Sequence, residues 1–107
     1  MSKSVKKTTK KNTKPRMRPY LVTTAHRGVF FGWADDIDGT TITLHKARNC
    51  IYWSADCRGF LGLANTGPTS GCRIGAPAEE LQVRAVTSVA LCSDAAAHAW
   101  GIALWSK

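Results

Sequence analysis

The first nineteen residues contain no acidic side chain, which is the most informative absence in this 107-residue chain. From residue 20 onward seven basic residues meet seven acidic ones, so the whole net charge of +8 belongs to the N-terminal segment, residues 1–19. A segment of this charge binds polyanions such as nucleic acid by counterion release. The predicted contact residues are Lys3, Lys6, Lys7, Lys10, Lys11, Lys14, Arg16 and Arg18.

The N-terminal segment also has few apolar side chains, of which Val5 and Met17 are the clear ones. It cannot bury enough surface to offset the entropy of ordering, so we expect a disordered, flexible arm. No apolar stretch follows the basic start, which argues against a secretory signal. No apolar run approaches the roughly 18 residues that span a bilayer, so we expect no membrane association.

Motifs for catalysis and metal binding are lacking. GxSxG, HExxH, Walker and GxGxxG patterns do not occur, and the three histidines, His26, His45 and His98, are scattered along the chain. The acidic turn at residues 35–38 lacks the other ligands of a calcium loop. We therefore predict that the protein is not an enzyme and has no catalytic residue, metal or cofactor.

The four cysteines, Cys50, Cys57, Cys72 and Cys92, form no CxxC pair and have no nearby histidine that would complete a zinc site. Without an export signal, we expect reduced and mostly buried thiols. One or two disulfides remain an alternative if the protein ends in an extracellular particle.

Residues 20–107 form the second predicted unit, a compact body of about 88 residues, which is enough for one hydrophobic core. Its pattern is β-rich. Residues 20–25, 29–34 and 40–45 predict a three-stranded meander, in which Gly32 indicates a bulge or a close backbone approach. Further strands are predicted at residues 50–53, at 72–76 and within the run 81–92, with turn residues at Pro77, Glu79 and Glu80.

Two helical segments complete the prediction. Residues 56–64 indicate a helical turn with Phe60, Leu61 and Ala64 inward, and Ser93 is a good N-cap for a helix from Asp94 to about Trp100. Residues 102–105 are expected to close the domain as a strand or an extended tail. The fold class is therefore a small, strand-dominated α+β domain of five to six mostly antiparallel strands with one or two short helices.

Two positions in the body are candidates for contact with a partner. Phe30 and Phe31 are adjacent in a strand and point to opposite faces, so one of them should pack on a second layer, either a helix or another protein. Lys46 and Arg48 would share a face and could form a small basic contact spot beside Tyr52 and Trp53. Alternatively, their aliphatic stems cover Trp53 while the charges stay hydrated.

A family resemblance runs from Gly28 to Cys92. The matching residues are Gly28-Val29, residues 40–44, Lys46-Ala47-Arg48, Ile51-Tyr52-Trp53, residues 61–64, Cys72, Pro77 with Glu80, and Cys92. The segment resembles a family of small tailed-bacteriophage and prophage proteins of unknown function, in which Lys-Asp-Ala-Arg followed by Tyr-Trp is the most recognisable feature. Here Lys46 directly precedes Ala47, without the Asp.

The resemblance implies a viral genome and, with it, a location in the virion or in the host cytoplasm. The main hypothesis is a non-enzymatic, virion-associated structural or accessory protein of the capsid or head. Its neutral body would bind a viral protein, and its basic segment would contact nucleic acid or an acidic surface. The alternatives are a soluble accessory factor that binds and inhibits a host defence or transcription protein, and a sequence-nonspecific nucleic-acid-binding protein. Self-association is left open.

Overall fold

Six strands and two α-helices make up the fold, seen in a computed structural model that describes residues 17–26 and 28–104. A short 3-10 helix, Ala55–Cys57, precedes the first α-helix. The strands are β1 (Arg18–Thr24), β2 (Val29–Ala34), β3 (Ile42–Tyr52), β4 (Arg73–Ile74), β5 (Ala78–Val83) and β6 (Val86–Leu91), and the helices are α1 (Gly59–Thr66) and α2 (Asp94–Ile102). The predicted fold class, a strand-dominated α+β domain, is confirmed.

Antiparallel pairing joins β1 to β2 and β2 to β3, as the predicted meander requires. The eleven-residue strand β3 is long enough to pair with two strands along its other edge, β5 beside its first half and β4 beside its end. The last strand, β6, returns to the other side of the sheet and pairs with β1. The order across the sheet is therefore β5 and β4, then β3, β2, β1 and β6.

The sheet curls strongly, because β5 and β6 lie at its opposite ends and are joined only by Arg84 and Ala85. Four strand spacings would separate these ends by about 19 Å in a flat sheet, whereas three peptide steps reach at most about 11 Å. The linker is also tied to both sides of the curl: the Ala25 amide donates to the Ala85 carbonyl, and the Val86 amide donates to the Thr40 carbonyl.

Curling gives the sheet an inside and an outside, and each has its own hydrophobic cluster. The inner cluster is Val22, Ala34, Ile42, Leu44, Ala47 and Val83. The outer cluster lies between the other face of the sheet and the helices, and its buried members are Leu21, Val29, Phe31, Cys50, Cys57, Leu63, Ala64, Ile74, Cys92, Ala96, Ala97 and Trp100. Phe30 packs on the inner cluster and Phe31 belongs to the outer one, which confirms the prediction that they face opposite ways.

Trp100 fixes α2 to both the sheet and α1. Its ring stacks on Phe31 with the centroids 5.4 Å apart, and its indole N–H donates to the Leu63 carbonyl over 3.1 Å. At the other end of the helix, the Ser93 hydroxyl accepts from the Ala96 amide over 3.0 Å, so the predicted N-cap is confirmed. The helical second layer expected over one of the two phenylalanines is thus α2.

Several predicted elements differ from the structure. The strand predicted at residues 50–53 is the end of β3, and the turn predicted around Glu79 and Glu80 is part of β5. Leu61 is 67% exposed, whereas the neighbouring Leu63 is buried. The helix α2 continues to Ile102, where a strand or extended tail was predicted.

At the N-terminal side, β1 begins at Arg18, two residues before the predicted start of the body. Residues 1–16, on which the prediction of a flexible arm falls, lie outside the described residues. In the described ranges, no helix is long and apolar enough to cross a membrane.

Candidate partner-binding cleft

A bulge in β3 determines where Lys46 and Arg48 lie. Ile42 and Leu44 face the inner cluster, and simple alternation would place Lys46 inside next. Instead the register between β2 and β3 shifts by one residue, Lys46 adopts a left-handed backbone with φ of 53°, and Ala47 takes the inner position. The bulge thus moves a lysine out of an apolar interior and reverses the faces of the residues that follow it.

Gly32 of β2 lies opposite this bulge and allows the two strands to approach closely. A Cβ at this position would be 2.6 Å from the Cβ of Leu44. No larger residue fits without moving the backbone, because real Cβ atoms do not come this close. The sequence predicted a bulge or a close approach at Gly32, and the structure has both.

Arg48 is buried, with only 3% of its surface exposed, and its side chain runs to the end of α2. Nε donates to the Gly75 carbonyl over 2.9 Å, and the two terminal nitrogens donate to the carbonyls of Trp100 and Ala103 over 2.9 and 2.7 Å. Two of these acceptors are carbonyls at the C-terminus of a helix, where the helix dipole favours a cation. The predicted exposure of Arg48 on a basic surface spot is therefore wrong.

The charge of Arg48 is retained despite its burial. Burial lowers its pKa from the usual 12.5, but a guanidinium stays protonated at neutral pH. All three acceptors named above are carbonyl oxygens, so no carboxylate neutralises the guanidinium through these bonds. In the described part of the chain, the one ion pair within 4.0 Å lies elsewhere, between His45 and Glu80 at 3.8 Å.

Lys46 and Arg48 line one cleft of about 290 Å³, between the β2–β3 pair, the start of β5 and the end of α2. Its other walls are Phe31, Trp33, Pro77, Ala78, Glu79 and Gly101. Phe31 and Trp33 meet edge to face, with their centroids 6.5 Å apart. The cleft therefore combines an apolar, aromatic wall with two cations and a single carboxylate, which suits a ligand with an acidic group next to an apolar one.

Tyr52 and Trp53 do not join this cleft. Tyr52 is 56% exposed at the end of β3, and Trp53 packs partly buried against the outer cluster. The four predicted body contacts thus separate into two pairs, with Lys46 and Arg48 in the cleft and the two aromatic residues elsewhere. The alternative was that the aliphatic stems of Lys46 and Arg48 cover Trp53. In the structure both residues line the cleft, and Trp53 does not.

The predicted polyanion contacts of the N-terminal segment are described at one position only. Arg18 is exposed at the start of β1, where it pairs with Ala34. Lys3, Lys6, Lys7, Lys10, Lys11, Lys14 and Arg16 lie outside the described residues.

Among the remaining groups that could carry chemistry, His26 lies in the β1–β2 turn and His98 is exposed in the middle of α2. Within residues 17–26 and 28–104, no three His, Cys, Asp or Glu side chains are placed to hold one metal ion. Sequence reasoning missed the helix-capping role of Arg48 and a polar cluster around Cys72. Neither has a motif, because each depends on contacts between distant segments.

A family model described as a domain of unknown function (DUF6948) matches residues 17–100. The chain belongs to this family. Membership in a family of unknown function is thereby confirmed, over a longer segment than the one on which the resemblance was based, and the phage origin stays a prediction. The DUF6948 match begins one residue before β1 and ends within α2, so it contains all six strands. The basic residues 1–16 lie outside it. Neither a curated protein nor a solved structure matches the chain.

Proposed function

We propose that this DUF6948 protein is a non-enzymatic, virion-associated protein of a tailed bacteriophage, positioned at the capsid or head. Its neutral body binds a viral structural protein, and its basic N-terminal segment contacts packaged nucleic acid or an acidic surface. The phage origin comes from the resemblance of the segment from Gly28 to Cys92, and the two binding roles come from charge and geometry.

The observation that carries the proposal is the separation of charge along the chain. Eight cations and no acid lie in residues 1–19, while residues 20–107 hold seven charges of each sign. The family match begins at residue 17, so seven of these eight cations lie outside the matched segment. A neutral body gains little from general attraction to nucleic acid, and it needs shaped contacts to choose a partner.

The cleft beside Lys46 supports a protein partner for the body. An acidic side chain, or a C-terminal carboxylate next to an apolar residue, would meet Lys46 and the buried charge of Arg48 while its apolar part rests on Trp33. Charge-assisted hydrogen bonds of this kind are strong in a partly desolvated site. Glu79 on the same wall disfavours ligands that carry several negative charges, which favours a single acidic anchor over a nucleic-acid backbone.

The decisive experiment is mass spectrometry of purified particles from cells that produce the phage encoding this chain. We expect the protein in the particles, and we expect a tagged copy to recover a viral structural protein from the infected lysate. Recovery of a host protein, with particles that lack the chain, would contradict the virion role and favour the inhibitor of a host protein.

A matched pair of variants connects this result to the cleft. Lys46→Glu reverses a charge that lines the cleft, and Arg73→Glu reverses an exposed charge in β4 that does not. We expect Lys46→Glu to reduce incorporation into particles at least tenfold, and Arg73→Glu to leave it unchanged. Equal loss in both variants would assign incorporation to net charge and would contradict a role for the cleft.

A further inference from the structure

Arg48 keeps two hydrogen-bond donors that the described residues do not accept. A guanidinium has five N–H groups, and three of them donate to the carbonyls of Gly75, Trp100 and Ala103. One N–H on each terminal nitrogen is left without an acceptor in the described part of the chain. Arg48 is only 3% exposed and lines the cleft of about 290 Å³. Because a buried donor without an acceptor is costly, a ligand with acceptor oxygens gains from this position.

Two cations and two aromatic rings lie side by side in this cleft. Phe31 and Arg48 are directly opposite each other in the β2–β3 pair, which places their Cβ atoms about 5 Å apart. Lys46 lines the same cleft from the bulge, and the ring of Trp33 meets that of Phe31 edge to face. The positive groups and the apolar wall are therefore close neighbours, so one compact ligand can contact both.

The cleft has a buried floor and an exposed mouth. Phe31 and Arg48 form the floor, since both are almost fully buried. Lys46 is exposed and Trp33 is half-buried, so these two lie at the mouth. A carboxylate that enters the cleft would thus lie between Lys46 and Arg48, and an apolar group attached close to it would rest on Trp33.

The charges around the cleft favour a ligand with one negative charge. Lys46 and Arg48 are opposed by the carboxylate of Glu79. The C-terminus of α2, which Arg48 contacts, adds about −0.5 elementary charge, so about +0.5 remains for the whole site. One carboxylate nearly balances this charge. A phosphate monoester, with about −1.5 to −2, would leave an excess of about one negative charge or more beside Glu79.

A chain terminus fits this arrangement more compactly than an acidic side chain does. In a C-terminal residue, the carboxylate and the side chain are bonded to the same Cα. In an extended internal segment, adjacent side chains point to opposite sides, and the next one on the same side is about 7 Å away. The cleft volume of about 290 Å³ is at the lower limit for ligand pockets, which is about 300 Å³ and suits a single residue.

We propose that the cleft binds the C-terminal residue of a partner chain, with its free carboxylate between Lys46 and Arg48 and its apolar side chain on Trp33. The assignment rests on the proposed function, because it names the anchor by which the neutral body holds its protein partner. It requires a partner that ends in an apolar residue, and it excludes an internal aspartate or glutamate as the anchor.

NMR titration of the ¹⁵N-labelled full chain with single-residue ligands tests the chemistry of the cleft. N-acetyl-L-leucine has the carboxylate and the apolar side chain, N-acetyl-L-leucinamide lacks the charge, and N-acetylglycine lacks the side chain. We expect N-acetyl-L-leucine to shift the indole N–H of Trp33 and the amide of Lys46, with at least about tenfold higher affinity than either control. Equal affinity for the amide, or no shift at about 10 mM ligand, would overturn the assignment.

Peptides distinguish a chain terminus from an internal acidic residue and from a free small molecule. A Gly-Ser pentapeptide that ends in leucine with a free carboxylate should bind at least as tightly as N-acetyl-L-leucine. An amidated pentapeptide with Asp-Leu at its centre should bind at least about tenfold more weakly. Tighter binding of the internal aspartate would overturn the C-terminal anchor. Binding of the single residue but not of the pentapeptide would assign the cleft to a small carboxylic acid, which also contradicts the proposal.

A matched pair of variants places the binding at the cleft. Lys46→Gln removes the charge at the mouth and should weaken binding of the free-carboxylate pentapeptide by about fivefold or more. Arg73→Gln removes an exposed charge that does not line the cleft, and it should leave the affinity unchanged. Equal affinity of Lys46→Gln and the wild type would contradict the proposal. The presence of the chain in particles is measured separately, so failure of these titrations is distinguishable from failure of the virion role.

Discussion

The side chain of Arg48 extends from β3 to the end of α2. Its terminal nitrogens donate to the carbonyls of Trp100 and Ala103, and its Nε donates to the carbonyl of Gly75. These acceptors come from segments that are 27 to 55 residues away in sequence. Removing the guanidinium would leave three carbonyl groups without their partner in a largely buried setting. A residue predicted as a surface contact is therefore a structural tie between the sheet and the last helix.

The stability of Arg48 variants tests this role. Arg48→Met should lower the free energy of unfolding by about 3 kcal/mol, because it leaves the carbonyls without donors. Arg48→Lys keeps the charge but cannot reach three acceptors at once, and it should cost about 2 kcal/mol. Arg84→Met, at an exposed position, should stay within about 0.5 kcal/mol of the wild type in the same urea titration. Equal stability of Arg48→Met and Arg84→Met would rule out the tie.

The same residues show why the candidate site was only partly predictable. The structure brings Lys46 and Arg48 to one cleft, and their role in binding a partner stays a prediction. Lys46 is exposed, but the predicted exposure of Arg48 was wrong, because alternation along a strand assumes a regular register and the bulge at Lys46 breaks it. The partners of Arg48 are backbone carbonyls, which any residue supplies, so no acidic residue or motif in the sequence indicates them.

At the scale of elements, the bulge of β3 and Gly32 of β2 act together in the pairing of these two strands. The extra residue lets β3 keep Ala47 inside and Lys46 outside, and the missing side chain at Gly32 lets Leu44 approach. A curled sheet of few strands needs such local departures from regular pairing to bend. The position of the cleft follows from this bend.

Two glycine substitutions distinguish the effect of the close approach at Gly32 from the general effect of adding a methyl group. Gly32→Ala should lower the free energy of unfolding by about 2 kcal/mol, because its Cβ would overlap that of Leu44 and force the strands apart. Gly101→Ala in α2 meets no atom within 4 Å, and it should be neutral or stabilise by up to about 1 kcal/mol. Thermal or urea unfolding of both variants measures the difference, and a neutral Gly32→Ala would contradict the close approach.

Elements with local signals were predicted well. The strand at β2 matches its prediction to the residue, and the Ser93 cap marks the start of α2. The later strands were predicted less exactly: β4 lies within the predicted segment 72–76 and β6 within the run 81–92, but β5 begins at Ala78, where a turn was predicted. The position of β5 depends on pairing with β3 rather than on its own pattern. Glu79 and Glu80 resemble turn residues in sequence, yet β5 accommodates them because one edge of this strand is free of pairing in the described sheet.

At the scale of the molecule, the curled sheet with its two helices is a self-contained body, and the family match covers it from residue 17 to residue 100. The body holds equal numbers of acidic and basic residues, and the excess charge precedes it in sequence. We therefore expect the body to carry out selective recognition and the N-terminal segment to attract polyanions.

The salt dependence of DNA binding by the full chain tests this assignment most directly. If about half of the eight N-terminal cations contact phosphates, log K against log salt should have a slope of about −3 to −4. Lys6→Gln with Lys7→Gln should reduce the magnitude of that slope by up to about 1.8. The matched pair Arg73→Gln with Arg84→Gln, which removes two exposed charges of the body, should leave the slope unchanged. A slope that changes equally in both pairs, or only in the body pair, would contradict the account.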